Sequence, residues 1–356
     1  MSTDWQRSRC RERLLGLADS SLGSVELRLE AMALLKRSLG FERWCWTIGD
    51  PESLLAGGDL AEADLWPVMP RSFTLEQRGD VNAAHVLARG GRSVAGLSSA
   101  TNGDLALSRC WDECLRPHGI GDQATVVLRD GYGSWGYLKA WRDRDDPSFA
   151  AEELALLEAV APALGSALRR RAIGPGPPRI PGNASERGSG VLILDADMHP
   201  RSWTTEAQAW LDALPGADFA RRYGSLPQVV YAVAARAAAA ESPSVVGLPA
   251  RMRVRTTAGH WASIEAAPLH GSTDDGLIAV TLRSATREEV LNLVCRAYAL
   301  TAREREIMGL VFAGASTRTM AERLCISVNT CQDHLKAIFD KAGVRSRREL
   351  AAVQAG

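Results

Sequence analysis

From Leu300 to Leu350 the chain reads LTAREREIMGLVFAGASTRTMAERLCISVNTCQDHLKAIFDKAGVRSRREL. This stretch is a succession of helix start and stop signals. Thr301 and Glu304 have the spacing of a capping box, in which each side chain accepts a hydrogen bond from the backbone amide of the other residue. The residues that follow predict an amphipathic helix, and Gly314 is expected to end it.

Two further helices are predicted with a very short connection between them. Ser316 is expected to cap a short helix that runs through Leu324, and Ser327 is expected to cap the next one. Cys325 and Ile326 are the residues left to form the turn. Two helices joined so tightly predict a helix-turn-helix, which places its second helix in the major groove of DNA.

The second of these helices is amphipathic. Its apolar residues recur at three- and four-residue spacing and are predicted to face the core. They are Val328, Cys331, Leu335 and Ile338. The opposite face offers amide, hydroxyl, carboxylate and ammonium groups of the kinds that contact base edges and phosphates. These candidate DNA-binding residues are Asn329, Thr330, Gln332, Asp333 and Lys336. For each residue taken alone, a merely solvated polar face is the alternative interpretation.

A fourth helix is predicted after Gly343. Ser346 and Glu349 repeat the capping-box spacing, and the helix is expected to run from Ser346 to Val353. Between Ser327 and Glu349 the chain has five basic residues against three acidic ones, a modest excess for a phosphate-facing surface. Arg345 belongs to this basic group and is included among the candidate DNA contacts.

The whole stretch resembles the LuxR-type DNA-binding domain. The matches are LTxREREI, the Gly-Ala-Ser turn, AERL, IS, His334, KAIF, GV and SRxEL. The resemblance implies an all-α domain of four helices over residues 300–356, with the recognition helix at Ser327 to Lys341. His334 is expected to be a half-buried structural residue in it.

The resemblance also implies roles for individual side chains. Gln332, Asp333 and Lys336 fall at base-facing positions, and Thr330 falls at a phosphate-facing one. Cys331 stands where the family usually has valine, and Gln332 where it frequently has lysine. These departures mean that the operator sequence cannot be transferred from the family.

The rest of the chain predicts two more domains. The protein has 356 residues, of which 46% are hydrophobic and 24% charged, so several folded domains are expected. Residues 172–190 are rich in proline, glycine and small polar residues, which predicts a flexible linker. The expected divisions are a first domain at 1–171, a second at 191–285 and a connecting helix at 286–299.

The first domain is predicted to be α+β. Apolar periodicity predicts helices at 5–17, 25–39, 104–115 and 149–171, and strands at 44–48, 123–129 and 134–141. This layout resembles a GAF domain. Six of the ten tryptophans lie between Trp44 and Trp141, and aromatic side chains can wall an apolar pocket. The candidate ligand-binding residues are Trp44, Trp46, Trp111 and Trp135, and packing in the core explains the same residues equally well.

The second domain is also predicted to be α+β. Short strands are expected at 191–194 and 199–203, helices near 206–214 and 228–240, and three strands at 250–256, 261–267 and 276–282. The opening strand, the turn at Asp195 and the second strand resemble a PAS domain. Arg251, Arg253 and Arg255 alternate with apolar residues, which favours a solvated basic strand face over an anion site.

Two further patterns are expected to be structural. Gly131, Gly133 and Gly136 fit GxGxxG, but a strand follows them, so a hairpin turn is predicted instead of a dinucleotide site. Cys110 and Cys114 could hold a metal together with His118, but Pro117 should end a helix first, and buried thiols are favoured. No catalytic motif, cofactor motif or metal motif is found, so an enzyme is not predicted.

The sequence therefore predicts a DNA-binding transcription regulator controlled by a small-molecule or protein signal. The alternative is a protein-interaction scaffold with a degenerate helix-turn-helix. The expected partners are double-stranded DNA, a second copy of the chain and a small-molecule effector, with RNA polymerase as a further candidate. No apolar run of membrane-spanning length occurs, and the N-terminal residues do not resemble a secretory signal, so a cytoplasmic protein is expected.

A homodimer is expected because one small domain offers few basic groups for tight DNA binding. Candidate dimer surfaces are the apolar stripes of the helix at 149–171 and the segment at 287–299. Either stripe could face the core instead. In the family the fourth helix also contributes to pairing on DNA.

Overall fold

The computed structural model describes residues 3–61, 63–172, 188–271, 276–346 and 349–350. Its N-terminal part is built on a five-stranded antiparallel sheet. The strands are β1 (Arg43–Gly49), β2 (Ala56–Ala61), β3 (Val94–Gly96), β4 (Ile120–Asp130) and β5 (Gly133–Asp143). Their order across the sheet is β2-β1-β5-β4-β3. The β4–β5 connection is a hairpin at Gly131 and Tyr132, which confirms the interpretation of the GxGxxG pattern.

Helices cover both faces of this sheet. They are α1 (Thr3–Ala18), α2 (Ser24–Leu39), α3 (Met69–Gln77), α4 (Ala84–Arg89), α5 (Leu97–Ala100) and α6 (Ala151–Arg171). The long helix α6 lies against β4, and α1 packs on α6. A side chain at Gly165 would place its Cβ 2.7 Å from the backbone of Arg129, so glycine is needed for this close approach of helix and strand.

The prediction of one continuous helix at 104–115 is wrong. Short helical turns at Leu105–Leu107 and Trp111–Leu115 replace it, with Ser108 between them. Asp80 explains the break, because its carboxylate accepts hydrogen bonds from the Ser108 hydroxyl (2.7 Å) and from the backbone amides of Arg109 (2.9 Å) and Cys110 (3.1 Å). This distant carboxylate starts a new helical turn at Arg109, which local periodicity cannot reveal.

The second region contains another five-stranded antiparallel sheet. Its strands are β6 (Gly190–Leu194), β7 (Pro200–Trp203), β8 (Arg251–Arg255), β9 (Trp261–Pro268) and β10 (Ile278–Ser284), and its helices are α7 (Thr205–Ala213), α8 (Ala217–Arg222) and α9 (Gln228–Ala238). The strand order is β7-β6-β10-β9-β8. In both sheets the order is therefore second, first, fifth, fourth, third, so the two regions share one topology. Residues 173–187, most of the predicted linker, lie outside the described residues.

Helix α9 joins the two sheets. It contacts β9 and β10 of its own sheet as well as β2 and α3 of the first region, and every residue from Gln228 to Ala237 is buried. Arg236 lies within this contact, where its guanidinium donates to Gln77 Oε1 (2.5 Å) and to the carbonyl of Ser53 (2.9 Å). Burial lowers the pKa of Arg236 to about 10. The two sheet regions thus share an extensive interface.

The prediction of a solvated basic face on β8 is wrong. Arg253 is only 6% exposed, and its guanidinium pairs with both carboxylate oxygens of Asp50, at 2.7 and 2.8 Å. Burial opposes ionisation of Asp50, but the hydrogen bonds and charge of Arg253 outweigh it and lower the pKa of the carboxyl group. Arg251 pairs with Glu52 at 3.1 Å. The strand alternates as predicted, but the first region covers its basic face.

The same network holds helix α10 (Arg287–Ala297). Arg253 donates to the carbonyl of Glu289 at 2.8 Å, and the Glu289 carboxylate accepts two hydrogen bonds of 2.9 Å from Arg283 and one of 2.7 Å from the amide of Thr286. Thr286 caps the helix in return. Burial opposes ionisation of Glu289, yet these donors lower its pKa to about 2.

Both stripes considered as dimer surfaces face the core in this structure. Leu157, Val160 and Leu164 of α6 are buried, as are Val290, Val294 and Ala297 of α10. The α10 residues belong to a continuous apolar cluster that also includes α6. None of the helices in the described part of the chain is both long and apolar enough to cross a membrane.

Replacing Glu289 with glutamine should destabilise the protein by about 1 to 3 kcal/mol at neutral pH, because it removes charged acceptors from Arg283 and the α10 cap. The ordinary carboxyl pKa is 4.5 and the folded value is about 2. The stability lost in the variant should therefore be fully visible above about pH 4.5 and should fade as pH falls through about 2. Urea denaturation at a series of pH values measures it.

Glu288→Gln is the matched control, because Glu288 lies in the same helical turn but is exposed. Its effect should be small and should not fade in the same pH window. A Glu289→Gln penalty that is constant from pH 7 to pH 2 would contradict the ionised role of Glu289.

Candidate nucleic-acid interface

The C-terminal region begins with helix α11 (Ala302–Phe312), followed by α12 (Thr317–Arg323) and α13 (Val328–Ala342). The predicted caps are confirmed. The Thr301 hydroxyl accepts from the amide of Glu304 at 3.3 Å, and the Glu304 carboxylate accepts from the amide of Thr301 at 2.6 Å. Ser316 and Ser327 accept from the amides three residues later, at 3.1 and 3.0 Å. Local sequence signals therefore set where all three helices begin.

The turn between α12 and α13 is as tight as predicted. Cys325 has a left-handed backbone with φ +52°, and the amide of Ile326 donates to the carbonyl of Ala321 at 3.0 Å. Met320 of α12 and Cys331 of α13 are fully buried in the angle between the helices. Helix α13 ends at Gly343, whose φ of +67° explains the glycine there.

The buried side of α13 is narrower than predicted. Cys331, Leu335 and Ile338 are buried, but Val328 is 41% exposed. The prediction for Val328 is wrong because it is the first residue of the helix, one turn before the buried Cys331, and it stays in solvent. His334 is half-buried, as expected.

All of the candidate DNA-binding side chains are solvent-exposed. On α13 they are Asn329, Thr330, Gln332, Asp333 and Lys336, and Arg345 follows the helix. The first five are brought together on the face opposite Cys331 and Leu335. Two exposed arginines of α12, Arg318 and Arg323, were not considered from the sequence. Arg318 pairs with Glu322 at 3.1 Å, whereas both arginines lie on the helix that crosses the phosphate backbone in helix-turn-helix proteins, and that position was the signal that could have found them.

Lys341 contributes less positive potential than the sequence suggests. Its ammonium group contacts both carboxylate oxygens of Glu304, at 2.6 and 2.9 Å. Glu304 is only 4% exposed. Burial opposes its ionisation, but the hydrogen bonds of Lys341 and Thr301 outweigh this and lower the pKa of Glu304. One of the five basic residues counted in this region is thus engaged in holding α13 against α11.

The predicted fourth helix is only partly described. Ser346 Oγ accepts from the amide of Glu349 at 3.1 Å, which confirms half of the second capping box. The Glu349 carboxylate accepts from the amide of Arg345 at 2.8 Å, so the return bond is displaced by one residue. Residues 347–348 and 351–356 lie outside the described residues.

The four candidate ligand-binding tryptophans do not form one site. Trp44, Trp46 and Trp135 lie in the cluster between the first sheet and its helices α1, α2 and α6. Trp111 packs against a separate cluster around Cys45 and Trp141, and its indole donates to the carbonyl of Ile120 at 3.0 Å. Side chains of successive strand residues point to opposite faces, so Cys45 and its neighbours lie across the sheet from Trp44 and Trp46. Trp135 is the member of the four that borders a cleft.

Comparison with known proteins gives a family for the C-terminal region. Residues 298–354 match the family described as bacterial regulatory proteins, luxR family. This region also resembles the monoamine regulon transcriptional regulator of Klebsiella aerogenes, with 49% identity over 53 residues, which is 15% of this chain and 23% of the relative. The chain thus carries a LuxR-family helix-turn-helix domain at its C-terminus, and the match spans about a quarter of the relative's length.

Solved structures resemble the chain only distantly. A Vibrio cholerae VqmA dimer in the absence of target DNA is 23% identical over 29% of this chain and 51% of that one, with a TM-score of 0.15. Escherichia coli SdiA is 13% identical over 98% and 96% of the two chains, with a TM-score of 0.36. A Vibrio cholera VqmA-ligand-DNA complex is 19% identical over 47% and 81%, with a TM-score of 0.20. These likenesses are too low to transfer an architecture.

Replacing Ser327 with alanine should loosen the first turn of α13 by about 1 kcal/mol, because the Thr330 amide loses its acceptor. Hydrogen exchange of a peptide covering residues 328–334 should become roughly fivefold faster, as measured by mass spectrometry. Ser316→Ala removes the equivalent cap of α12 and serves as control. If Ser316→Ala accelerates exchange in α13 as much as Ser327→Ala does, the effect is not a local one.

Proposed function

We propose that this protein is a sequence-specific transcription regulator that binds double-stranded DNA through α13. The observation that carries the proposal is the exposed polar face of α13 within a LuxR-family helix-turn-helix domain. An interaction scaffold would need the helix-turn-helix only for packing. The LuxR-family match favours DNA binding over that use, because the polar side chains alone would also suit a merely solvated helix face.

The side chains of α13 divide into two groups in this proposal. Gln332, Asp333 and Lys336 reach base edges, for which amide, carboxylate and ammonium groups are suited. Thr330 and Arg345 contact phosphates and set the register of the helix, and Asn329 adds an amide at its first turn. Arg323 of α12 supplies a further phosphate contact, as the first helix of the motif does in other helix-turn-helix proteins, and Arg318 can add another on leaving its exposed pair with Glu322.

Lys336→Ala and Gln332→Ala should each weaken binding to a duplex operator without changing the fold. An operator selected from a random duplex pool with the wild-type protein provides the ligand. Gln332→Ala should cost about 1 to 3 kcal/mol if its amide contacts a base. Lys336→Ala should weaken binding by a similar amount for the same reason, and a fall of about one in the slope of log K against log salt would show that it contacts phosphate instead. Fluorescence anisotropy at several salt concentrations measures both.

Matched controls use the same substitutions elsewhere. Lys36→Ala changes a lysine of α2, and Gln208→Ala changes an exposed glutamine of α7. Both should bind the operator as the wild type does. Unchanged binding by both α13 variants would exclude this helix as the reading surface and would favour the scaffold.

We further propose that the N-terminal regions sense the signal. The two regions, over residues 1–171 and 191–285, resemble GAF and PAS sensor domains in their layout, and their common strand order supports the same class of module for both. The helix at 286–299 then connects them to the helix-turn-helix. A small molecule or a protein is the signal.

The active species in this proposal is a homodimer. Lys341 is engaged by Glu304, and Asp333 stands near Lys336 on the exposed face, so one copy offers little net positive charge to the phosphates. Two copies are needed for the affinities near 10 nM or tighter that specific regulators reach. The fourth helix, predicted at 346–353, is the proposed pairing element, since the stripes of α6 and α10 are buried.

If two copies bind one site, the half-site centres should lie about one helical turn of DNA apart. Inserting five base pairs between them should abolish tight binding, because one half-site then faces the opposite side of the duplex. Inserting ten restores the helical phase and is the control. Mobility shift combined with light scattering measures both affinity and stoichiometry, and one protein bound per operator would refute the dimer.

A further inference from the structure

A cleft of about 280 Å³ lies where the two sheet regions and α10 meet. This volume is near the small end of the range for small-molecule sites. Its apolar walls include Ile48 and Trp135 from the first sheet, Val254 and Trp261 from the second, and Leu293 from α10. An occupant would therefore touch the first region, the second region and α10 at once.

The polar groups of this interdomain cleft are mainly hydrogen-bond donors. Trp261 is only 4% exposed, and its indole nitrogen has no acceptor among the described residues. The Ser24 hydroxyl likewise has no partner within the described part of the chain. Both residues line the cleft. Both donor atoms are buried, and a buried donor without an acceptor costs free energy, so a ligand acceptor that reaches them would remove this cost.

The net charge of the lining favours an anion. Ser24 and Val25 form the first turn of α2, the positive end of the helix dipole, where the Glu26 carboxylate accepts from the amide of Gly23 at 2.8 Å. Arg28 and Arg171 also line the cleft and add positive charge, although their guanidinium groups donate to backbone carbonyls. Asp50 is the single acidic residue among the described lining residues, and Arg253 already neutralises it with two short hydrogen bonds.

We propose that the interdomain cleft binds a small aromatic carboxylate, and that this molecule is the effector of the regulator. The apolar walls with their two indole rings take the aromatic ring, and the α2 terminus with the unsatisfied donors takes the carboxylate. The effector role rests on the proposed DNA-binding function, whereas the binding itself does not.

Contact with α10 gives the ligand a route to the DNA-binding domain. Leu293 is 5% exposed and belongs to the apolar cluster that continues into Leu300 and Ile307 at the start of the helix-turn-helix domain. Arg253, in the wall of the cleft, also donates to the carbonyl of Glu289 in α10. A bound ligand therefore contacts α10 directly. If its affinity differs between two positions of α10, binding shifts the populations of those positions.

Calorimetry on the full chain with 2-naphthoate tests the site, with neutral 2-naphthamide as the comparison. Naphthoate should bind one per chain and more tightly than naphthamide. Trp261→Phe keeps an aromatic ring but removes the donor, and should weaken naphthoate about tenfold. Trp203→Phe, at a 54% exposed position outside the cleft, should leave its affinity within twofold.

A charge variant tests the anion preference without disturbing the core. Val25 is 49% exposed and lies in the first turn of α2, where an added carboxylate is tolerated. Val25→Glu should weaken naphthoate several-fold and leave naphthamide unchanged. Val86→Glu, the same change at an exposed position of α4, should affect neither. No heat with millimolar naphthoate, equal affinity for naphthamide, or binding unaffected by Val25→Glu and Trp261→Phe would each overturn the site.

The effector role is tested separately with the selected operator. Saturating naphthoate should change the operator Kd of the wild type by about 5- to 150-fold, and DNA should change the naphthoate affinity by the same factor. Trp261→Phe and Val25→Glu should need correspondingly more naphthoate. Binding of naphthoate with no change in operator Kd would refute the effector role. Failure of the DNA-binding proposal would appear instead as the absence of an operator complex, while the calorimetry stays intact.

Discussion

The buried pair of Arg253 and Asp50 is the interaction on which the arrangement of this protein depends. Moving both charges out of water costs several kcal/mol each, and the pair recovers this only through its two short hydrogen bonds and the further bonds each partner makes. Asp50 accepts in addition from the amide of Glu52, and Arg253 donates to the carbonyl of Glu289. A pair of this kind adds little net stability, but separating its partners leaves a buried charge unmatched. It therefore fixes one relative position of the first sheet, the second sheet and α10.

The remaining contacts between the regions reinforce this position. Helix α9 is buried along its length because it packs on both sheet regions at once. Removing either region would therefore expose apolar residues of the other. Arg236 adds a second buried cation to that contact, held by Gln77 and the carbonyl of Ser53. Two modules of the same strand order are thus joined face to face. The hydrogen bond from Arg253 to the carbonyl of Glu289 ties α10 to the boundary between them.

Local chemistry explains which parts of the structure could be predicted from the sequence. The caps at Thr301, Ser316 and Ser327 depend on residues three positions away, so the helices of the C-terminal domain could be placed almost to the residue. The β4–β5 hairpin was likewise local. The largest failures were distant contacts: Asp80 breaks a helix thirty residues further along the chain, and Asp50 covers a strand face two hundred residues away. Alternation identifies the two faces of a strand, but it cannot reveal which other part of the chain lies on either face.

The candidate DNA-binding site was also predictable only where the local sequence determines its structure. The exposed side of α13 follows from its periodicity, but the strength of its field does not, since Lys341 turns away to neutralise the buried carboxylate of Glu304. What remains on the exposed face of α13 is a mixed set, in which Asp333 partly offsets Lys336. Such a surface gains little from nonspecific attraction to phosphate and relies on hydrogen bonds to particular bases. In the proposed function a single copy of such a domain would bind random DNA weakly, so the affinity of the proposed dimer would depend on how its second copy is placed. Helix α10 joins the sheet regions to the helix-turn-helix domain, so in that proposal it is the element through which a signal would change the placement.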